Sequence, residues 1–410
     1  MNQSRLNRLS PFRPCPRKSG RGFSWAAAAL FLGMAVPSAL AQTTNHAPVG
    51  TSNTVTLAED SPYVFTAADF GFTDPNDSPP NQFAAVKITT LPAAGTLTSG
   101  GNAVTNGQWI EYRVEVTWTA RESTRNWWSV ASSADGTKLV AGVLGGQLYV
   151  STDSGATWTA RESTRNWISV ASSADGTKLV AAVDHGQLYV SADSGATWTP
   201  RGDSRFWSSV ASSSDGTKLV AASDQLYVST DSGATWTPRG DSRFWISVAS
   251  SSDGTKLVAA VQNGQLYVSA DSGATWTPRE TNRNWSSVAS SADGTKLVAG
   301  VYEGQLYVST DSGATWTARE SNRRWYSVAS SADGTKLVAA VQNGQLYVSA
   351  DSGATWTARE STRGWRSVAS SSDGTKLIAA VSGGYLFTSQ GEIDLTFTPA
   401  PDGYGSPYGS

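Results

Sequence analysis

One string, DGTKL, governs this chain. It begins at Asp135, Asp175, Asp215, Asp253, Asp293, Asp333 and Asp373, so the intervals are 40, 40, 38, 40, 40 and 40 residues. The short interval reflects a loss of two residues between Ala222 and Gln225. A fixed period of this size means that each unit is one supersecondary module, unable to bury its own apolar face and dependent on stacking against its neighbours.

Within a unit such as Trp167–Arg201, four β-prone runs alternate with turn signals: WISVASS, then ADG, TKLVAAV, DHG, QLYVS, ADSGA and TWTPR. Apolar and polar residues alternate with period two, and no ten-residue run has helical spacing. Four antiparallel strands repeated seven times predict an all-β fold, a seven-bladed β-propeller of four-stranded blades over residues 114–389. In such a blade the first-to-second and third-to-fourth turns share one face. The near-constant ADG or SDG and ADSGA or TDSGA turns therefore lie on one side. The varied loops LGG, DHG, SD, QNG, YEG, QNG and SGG lie on the other, beside the RExxRxW segments. Variation on a uniform scaffold marks the second side as the ligand face.

The third-to-fourth turn reads STDSGATW or SADSGATW from Ser151, Ser191, Ser229, Ser269, Ser309 and Ser349. Six copies of SxDxGxTW in register resemble the Asp-box, or BNR repeat, of sialidases, sortilin-type receptors and exported bacterial propellers. The resemblance implies a structural role for Asp153, Asp193, Asp231, Asp271, Asp311 and Asp351 at the blade periphery. Turn chemistry agrees, because an Asp carboxylate accepts backbone N–H groups of its own turn and Gly supplies positive φ. Sialidases with this box also carry a FRIP-like arginine motif, three substrate arginines and a Tyr/Glu nucleophile pair. No such motif stands here, and the arginines belong to the repeat.

Residues 1–41 read as a secretory signal. Arg5, Arg8, Arg13, Arg17, Lys18 and Arg21 precede an apolar run from Trp25 to Val36 and the Ala39-Leu40-Ala41 cleavage pattern. Cleavage removes six positive charges and takes the net charge from −2 to −8, which disfavours nucleic acid as a partner. It also removes Cys15, the only cysteine, so disulfides and thiolate chemistry are excluded. No stretch reaches the roughly 20 apolar residues of a membrane helix. The mature chain is expected to be a monomer, secreted or held at the cell surface.

Residues 42–113 do not repeat. The segment from Asn53, NTVTLAEDSPYVFTAADFGFTDPNDSPP, resembles the first part of a bacterial cadherin-like, Ig-type β-sandwich, and residues 390–410 resemble its later part. The propeller is thus expected as an insertion in, or a fusion to, one sandwich domain. Relatives of this sandwich continue past the SPYGS-like stretch, so either the sandwich is incomplete or the sequence is part of a longer surface protein. Glu59, Asp60, Asp74, Asn76 and Asp77 offer oxygen ligands for calcium, and a plain Asp/Asn/Pro turn is the other reading. Blade seven lacks a fourth strand of its own. Val114–Thr119, VEVTWT, is expected to supply it beside Tyr385–Ser389, and Leu395–Pro399 is the rival.

The chemistry available to a ligand is chiefly cationic and aromatic. Arg125, Arg165, Arg205, Arg243, Arg283, Arg323 and Arg363 each sit two residues before a Trp, including Trp167 and Trp207. A ring of guanidinium groups beside aromatic faces suits carboxylated or sulfated glycans. Ion pairs with the adjacent acids and stacking as packing are the competing account. Residues unique to one blade are Asp184, His185, Tyr302 and Glu303, with Tyr326 and Arg366 directly after their tryptophans. They form no recognisable catalytic set, and a lone propeller histidine disfavours a His-based metal site or triad. The expected function is non-catalytic recognition or adhesion, with a glycan or an extracellular protein as partner. A sialidase-like glycoside hydrolase and a protein-assembly scaffold are the alternatives.

Overall fold

A computed structural model describes Val49 and residues 63–65, 67–72, 85–93, 95–99, 102–393 and 396–398. The signal segment, the residues beyond 398 and the calcium candidates Glu59, Asp60, Asp74, Asn76 and Asp77 lie outside these. The chain divides into two compact units, one of residues up to Glu115 together with those from Gly391, the other Val116–Gln390.

In the first unit, Thr396–Thr398 pairs antiparallel with Tyr63–Val64 on one side and Thr96–Ser99 on the other, with Asn102–Ala103 at the edge. Ala85–Lys87 pairs separately with Trp109–Glu111. Phe65, Phe70, Val86, Ile88, Leu97, Val104 and Ile110 form its buried core. Alternation along these short strands sends one residue in two inward, as Leu97 and Val86 show.

The second unit is all-β. Blade three shows the pattern in its simplest form, four antiparallel strands in chain order: Ser209–Ser212, Leu219–Ala222, Leu226–Ser229 and Thr237–Arg239. Elsewhere the fourth strand of one blade runs without a break into the first of the next. Thr159–Ser172 pairs through Arg161 with Leu148 and then through Trp167 with Val183.

Two closed cycles of hydrogen bonds tie the repeats together. In the first-to-second turns, backbone N–H groups donate to the next repeat's carbonyl from Ala134 to Ala174, Ser214, Ser252, Ala292, Ala332 and Ser372, and Ser372 donates back to Ala134. Along the first strands, the hydroxyls of Ser129, Ser169, Ser209, Ser247, Ser287, Ser327 and Ser367 accept the N–H of the following repeat's Val, ending with Ser367 and Val130. Each cycle has seven members. A strand that bonds its own equivalent on both sides in a closed cycle is the innermost, so the first strands surround the axis.

The ring is joined where the strand Lys376–Ile393 lies beside Trp109–Ser132. Arg121 Nε donates to Thr388 Oγ1 at 2.9 Å, and Trp118 is buried against Trp365 and Phe387. The rival segment is used differently, since Thr396–Thr398 is sheet-paired in the first unit.

The core is built from the tryptophan that ends each RExxRxW segment. Trp127, Trp167, Trp207, Trp245, Trp285, Trp325 and Trp365 are at most 1 % exposed. Each meets the third-strand aromatic of its blade edge to face, for example Trp167 and Tyr189 with centroids 5.1 Å apart. Trp167→Ala is expected to cost about 3–5 kcal/mol, because the neighbouring blades cannot collapse into the space without breaking the cycles. Urea denaturation at constant m-value measures it.

Candidate functional site

The two faces differ in what they do with their polar groups. On the turn face, Asp153 accepts Thr157 N–H at 2.9 Å, Thr157 Oγ1 at 2.6 Å and Ser151 Oγ at 2.8 Å. Gly155 stands at φ +84°, where a Cβ would meet Thr388 Cγ2 at 2.7 Å, and its carbonyl accepts the Trp158 indole N–H. The same bonds recur at Asp193, Asp231, Asp271, Asp311 and Asp351. Thr157 holds the Asp153 carboxyl down at about 2. Asp175 in the first-to-second turn is likewise held at about 2, by Ser173 and Thr177. Ser154 N–H donates to Thr137 O, which places both turns on one side. Their carboxylates are saturated by the turns that contain them.

A cleft of about 400 Å³ opens on this face between blades two and three, lined by Lys178, Asp193, Thr197, Arg201 and Asp231. Every one of these positions holds the same residue type in other blades, so the cleft carries no blade-specific chemistry. No group of three or more His, Cys, Asp or Glu residues that could hold a metal ion occurs among the described residues. Nor is any helix among them long and apolar enough to cross a membrane.

On the opposite face the arginine ring is engaged from blade to blade, as where Arg165 pairs with Gly146 of one blade and stacks on Tyr189 of the next. The guanidinium groups of Arg125, Arg165, Arg205, Arg243, Arg283 and Arg323 lie 4.5–5.0 Å from the centroid of the third-strand Tyr, and Arg363 lies 4.5 Å from Phe387. The stacking partner is thus that third-strand ring, while the following Trp is sealed in the core. Trp167 and Trp207, at 0 % and 1 % exposure, present no surface to a ligand. Six of the seven arginines also pair with the acid two or three residues earlier, as Arg125 with Glu122 at 3.3 Å and Arg205 with Asp203 at 3.0 Å. Arg165 has the stack but no ion pair among the described residues. At the position of these glutamates φ is positive, near +54° to +60°, and two blades place Gly202 and Gly240 there.

The position after each core tryptophan behaves differently. The pairing register skips it in six blades, between Trp127 and Ser129, Trp167 and Ser169, and their equivalents. A bulge of this kind leaves one residue outside the ladder and re-aims its side chain. The seven occupants are Trp128, Ile168, Ser208, Ile246, Ser286, Tyr326 and Arg366, all on the innermost strands of a scaffold that hardly varies elsewhere. Ser208 and Ser286 donate to the next blade's Trp245 and Trp325 carbonyls, at 2.6 and 2.7 Å. Arg366 instead lies between two rings, its guanidinium carbon 3.1 Å from the Trp128 centroid and 3.9 Å from that of Tyr326. Burial pushes Arg366 down to about 9, and the two π faces, which favour the cation, oppose that shift.

The one-blade residues gather on two arcs of this face. Tyr302 meets Tyr326 edge to face and donates its hydroxyl to Gln342 at 3.0 Å, while Glu303 pairs with Arg324 at 3.0 Å. Across blades two to four, His185 Nδ1 lies 2.7 Å from Asp184 Oδ1 and its ring abuts Phe206, which stacks on Phe244. Both phenylalanines are exposed, at 42 % and 47 %. His185 and Glu303 hold positive φ in their loops, a position other blades give to Gly or Asn. Trp128, Phe206 and Phe244 were not among the residues singled out from sequence. Their signal was present, since Phe206 and Phe244 stand where three blades hold Asn, and Trp128 is the bulkiest occupant of the position that follows each core tryptophan.

A closed cycle of four-stranded antiparallel blades is a β-propeller. No protein-family model matches the chain, and no curated protein sequence does. Solved structures with the same fold include YCF48 from Cyanidioschyzon merolae, with a TM-score of 0.55 and 17 % identity over 67 % of this chain and 98 % of that one. They also include YCF48 bound to D1 peptide, with a TM-score of 0.54 and 14 % identity over 73 % and 99 %. At such identities the likeness is one of fold.

Proposed function

We propose that this propeller is a recognition module that holds a protein partner on its variable face, around the mouth formed by the bulged residues of the innermost strands. The observation that carries the reading is the bulge ring: five residue types, Trp, Ile, Ser, Tyr and Arg, share one repeat position across the seven blades, where the strands around it are copied almost unchanged. A surface used for packing alone has no need of that divergence. Exposed Phe206 and Phe244 on one arc, with Trp128, Tyr302 and Tyr326 on the other, are the residue types that anchor protein partners. A related fold, YCF48, is known bound to a peptide, which supports the same use here. The basic, then apolar amino-terminal segment supports export, with the partner met outside the cell or at its surface.

Acidic glycans are the weaker reading. The arginines that suggested them have their faces on Tyr149 and its equivalents, and most of their charge is met by neighbouring acids. The test sets a displayed random-peptide library against a glycan array, both probed with purified residues 42–410. Peptides are expected to be retained, and to be lost on Phe206→Ser with Phe244→Ser or on Tyr302→Ser, but not on Lys178→Ala on the turn face. Glycan retention without peptide retention overturns the protein reading.

A further inference from the structure

Arg366 is a cation in an unusual position. Every other arginine of the variable face described above faces a carboxylate or a single ring. Arg366 has both faces covered, by Trp128 and Tyr326, and makes no ion pair or hydrogen bond among the described residues. It is half-buried, yet none of its nitrogens is among the buried side-chain atoms that lack a partner, so its edge stays open to solvent. A charge withdrawn from water in this way is costly unless its N–H groups are satisfied. Packing does not require it, because the same repeat position accepts Ile168, Ser208, Ile246 and Ser286.

We propose that Arg366, clamped between Trp128 and Tyr326, is a carboxylate-binding subsite of the variable face, and that it receives an acidic group of a peptide partner. The inference rests on the protein-binding reading above. With both π faces occupied, a ligand meets only the planar edge of the guanidinium, whose parallel N–H groups match the two oxygens of a carboxylate. The two rings hold that plane in place, so little side-chain freedom is lost on binding. Neighbouring aromatic surface comes from Tyr302, which meets Tyr326 edge to face, so the acidic group is expected beside an apolar residue of the partner.

The subsite is tested on residues 42–410 labelled with ¹⁵N-arginine. The Arg366 Nε–Hε resonance is assigned by its absence in Arg366→Ser, a residue the ring already holds at 208 and 286. The probes are N-acetylglutamic acid α-amide for a side-chain carboxylate, N-acetylglycine for a chain end, and N-acetylglutaminamide as the uncharged match. A saturable shift with a carboxylate at about millimolar concentration, and none with the amide, is expected. The carboxylate that binds more tightly identifies the source. No shift up to about 100 mM, or an equal shift with the amide, overturns the subsite.

Peptides retained in the library experiment supply the second arm. Replacing their acidic group by its amide is expected to weaken binding to the unaltered chain about 10- to 100-fold. The same replacement is expected to change binding to Arg366→Ser less than about 3-fold. Retained peptides indifferent to that replacement overturn the subsite and leave the protein reading standing. An Arg366-dependent shift with no peptide retained does the reverse.

Discussion

Between about pH 4 and pH 2 the propeller is expected to lose most of its thermal stability in one steep step, after near constancy from neutrality down to about pH 4. Eleven turn carboxylates, two in each of the first five blades and one in the sixth, are held at about 2 in the folded chain against an ordinary 3.8. Asp333 and Asp373 shift in the same direction. The folded pKa lies below the unfolded one. The stabilisation is therefore complete above about 3.8 and disappears as the pH falls towards 2. At pH 3 an unfolded chain binds about eight more protons than the folded one at these eleven sites. Most are well exposed, so solvent screening shrinks each share, and it is their number that makes the loss steep. Calorimetry at about pH 7, 4 and 2.5 should show a fall of more than ~20 °C in the last interval only. A melting temperature unchanged at pH 2.5 would contradict the assignment of these residues to the turns.

The second large effect concerns ring closure. A chain of residues 116–390 is expected to fold and melt in one transition, whereas residues 120–390 should not. The difference is a short run that contains Trp118, 9 % exposed and packed with Trp365 and Phe387. Without it the outer end of the third-strand edge of blade seven loses its partner, although Arg121 remains beside Thr388, and the aromatic pair Trp365 and Phe387 loses its cover. Every blade stacks on both neighbours, so an open edge destabilises the whole cycle rather than one unit. Trp118→Ala in the full chain gives the graded form of the same test, with an expected cost of about 3–5 kcal/mol. Size-exclusion chromatography and thermal melting decide between the chains. Equal melting temperatures for the two would show that the ring closes by some other strand.

Much of this architecture was legible from residues alone. The period of DGTKL, together with period-two alternation, led to four-stranded blades, and the SxDxGxTW strings led to self-satisfied turns at Asp153 and its equivalents. Those features depend on contacts within a few residues of one another, which is why a sequence displays them. The segregation of uniform and varied loops onto opposite faces followed from antiparallel order, and the bond from Ser154 to Thr137 and that from Gln147 to the Glu162 carbonyl agree with it.

The site was less legible. Arginines placed two residues before tryptophans suggested Arg on Trp, yet each guanidinium lies over a ring contributed by another strand, Tyr149 for Arg125. Trp167 and Trp207 looked like ligand surface and are core. Proximity along the chain does not settle which ring a side chain meets, because the third strand of the next blade supplies one that the guanidinium and the tryptophan both face, Tyr189 for Arg165 and Trp167.

The sequence by itself determined the repeating unit, its strands, its turns and the number of copies, because all of these are local and were written seven times. Only the tertiary structure decided that Arg366 lies between Trp128 and Tyr326. Trp128 precedes Arg366 by 238 positions and belongs to the first blade, and the two meet because the ring closes. Long-range contacts of that kind are set by closure of the cycle, and no local preference of either residue encodes them.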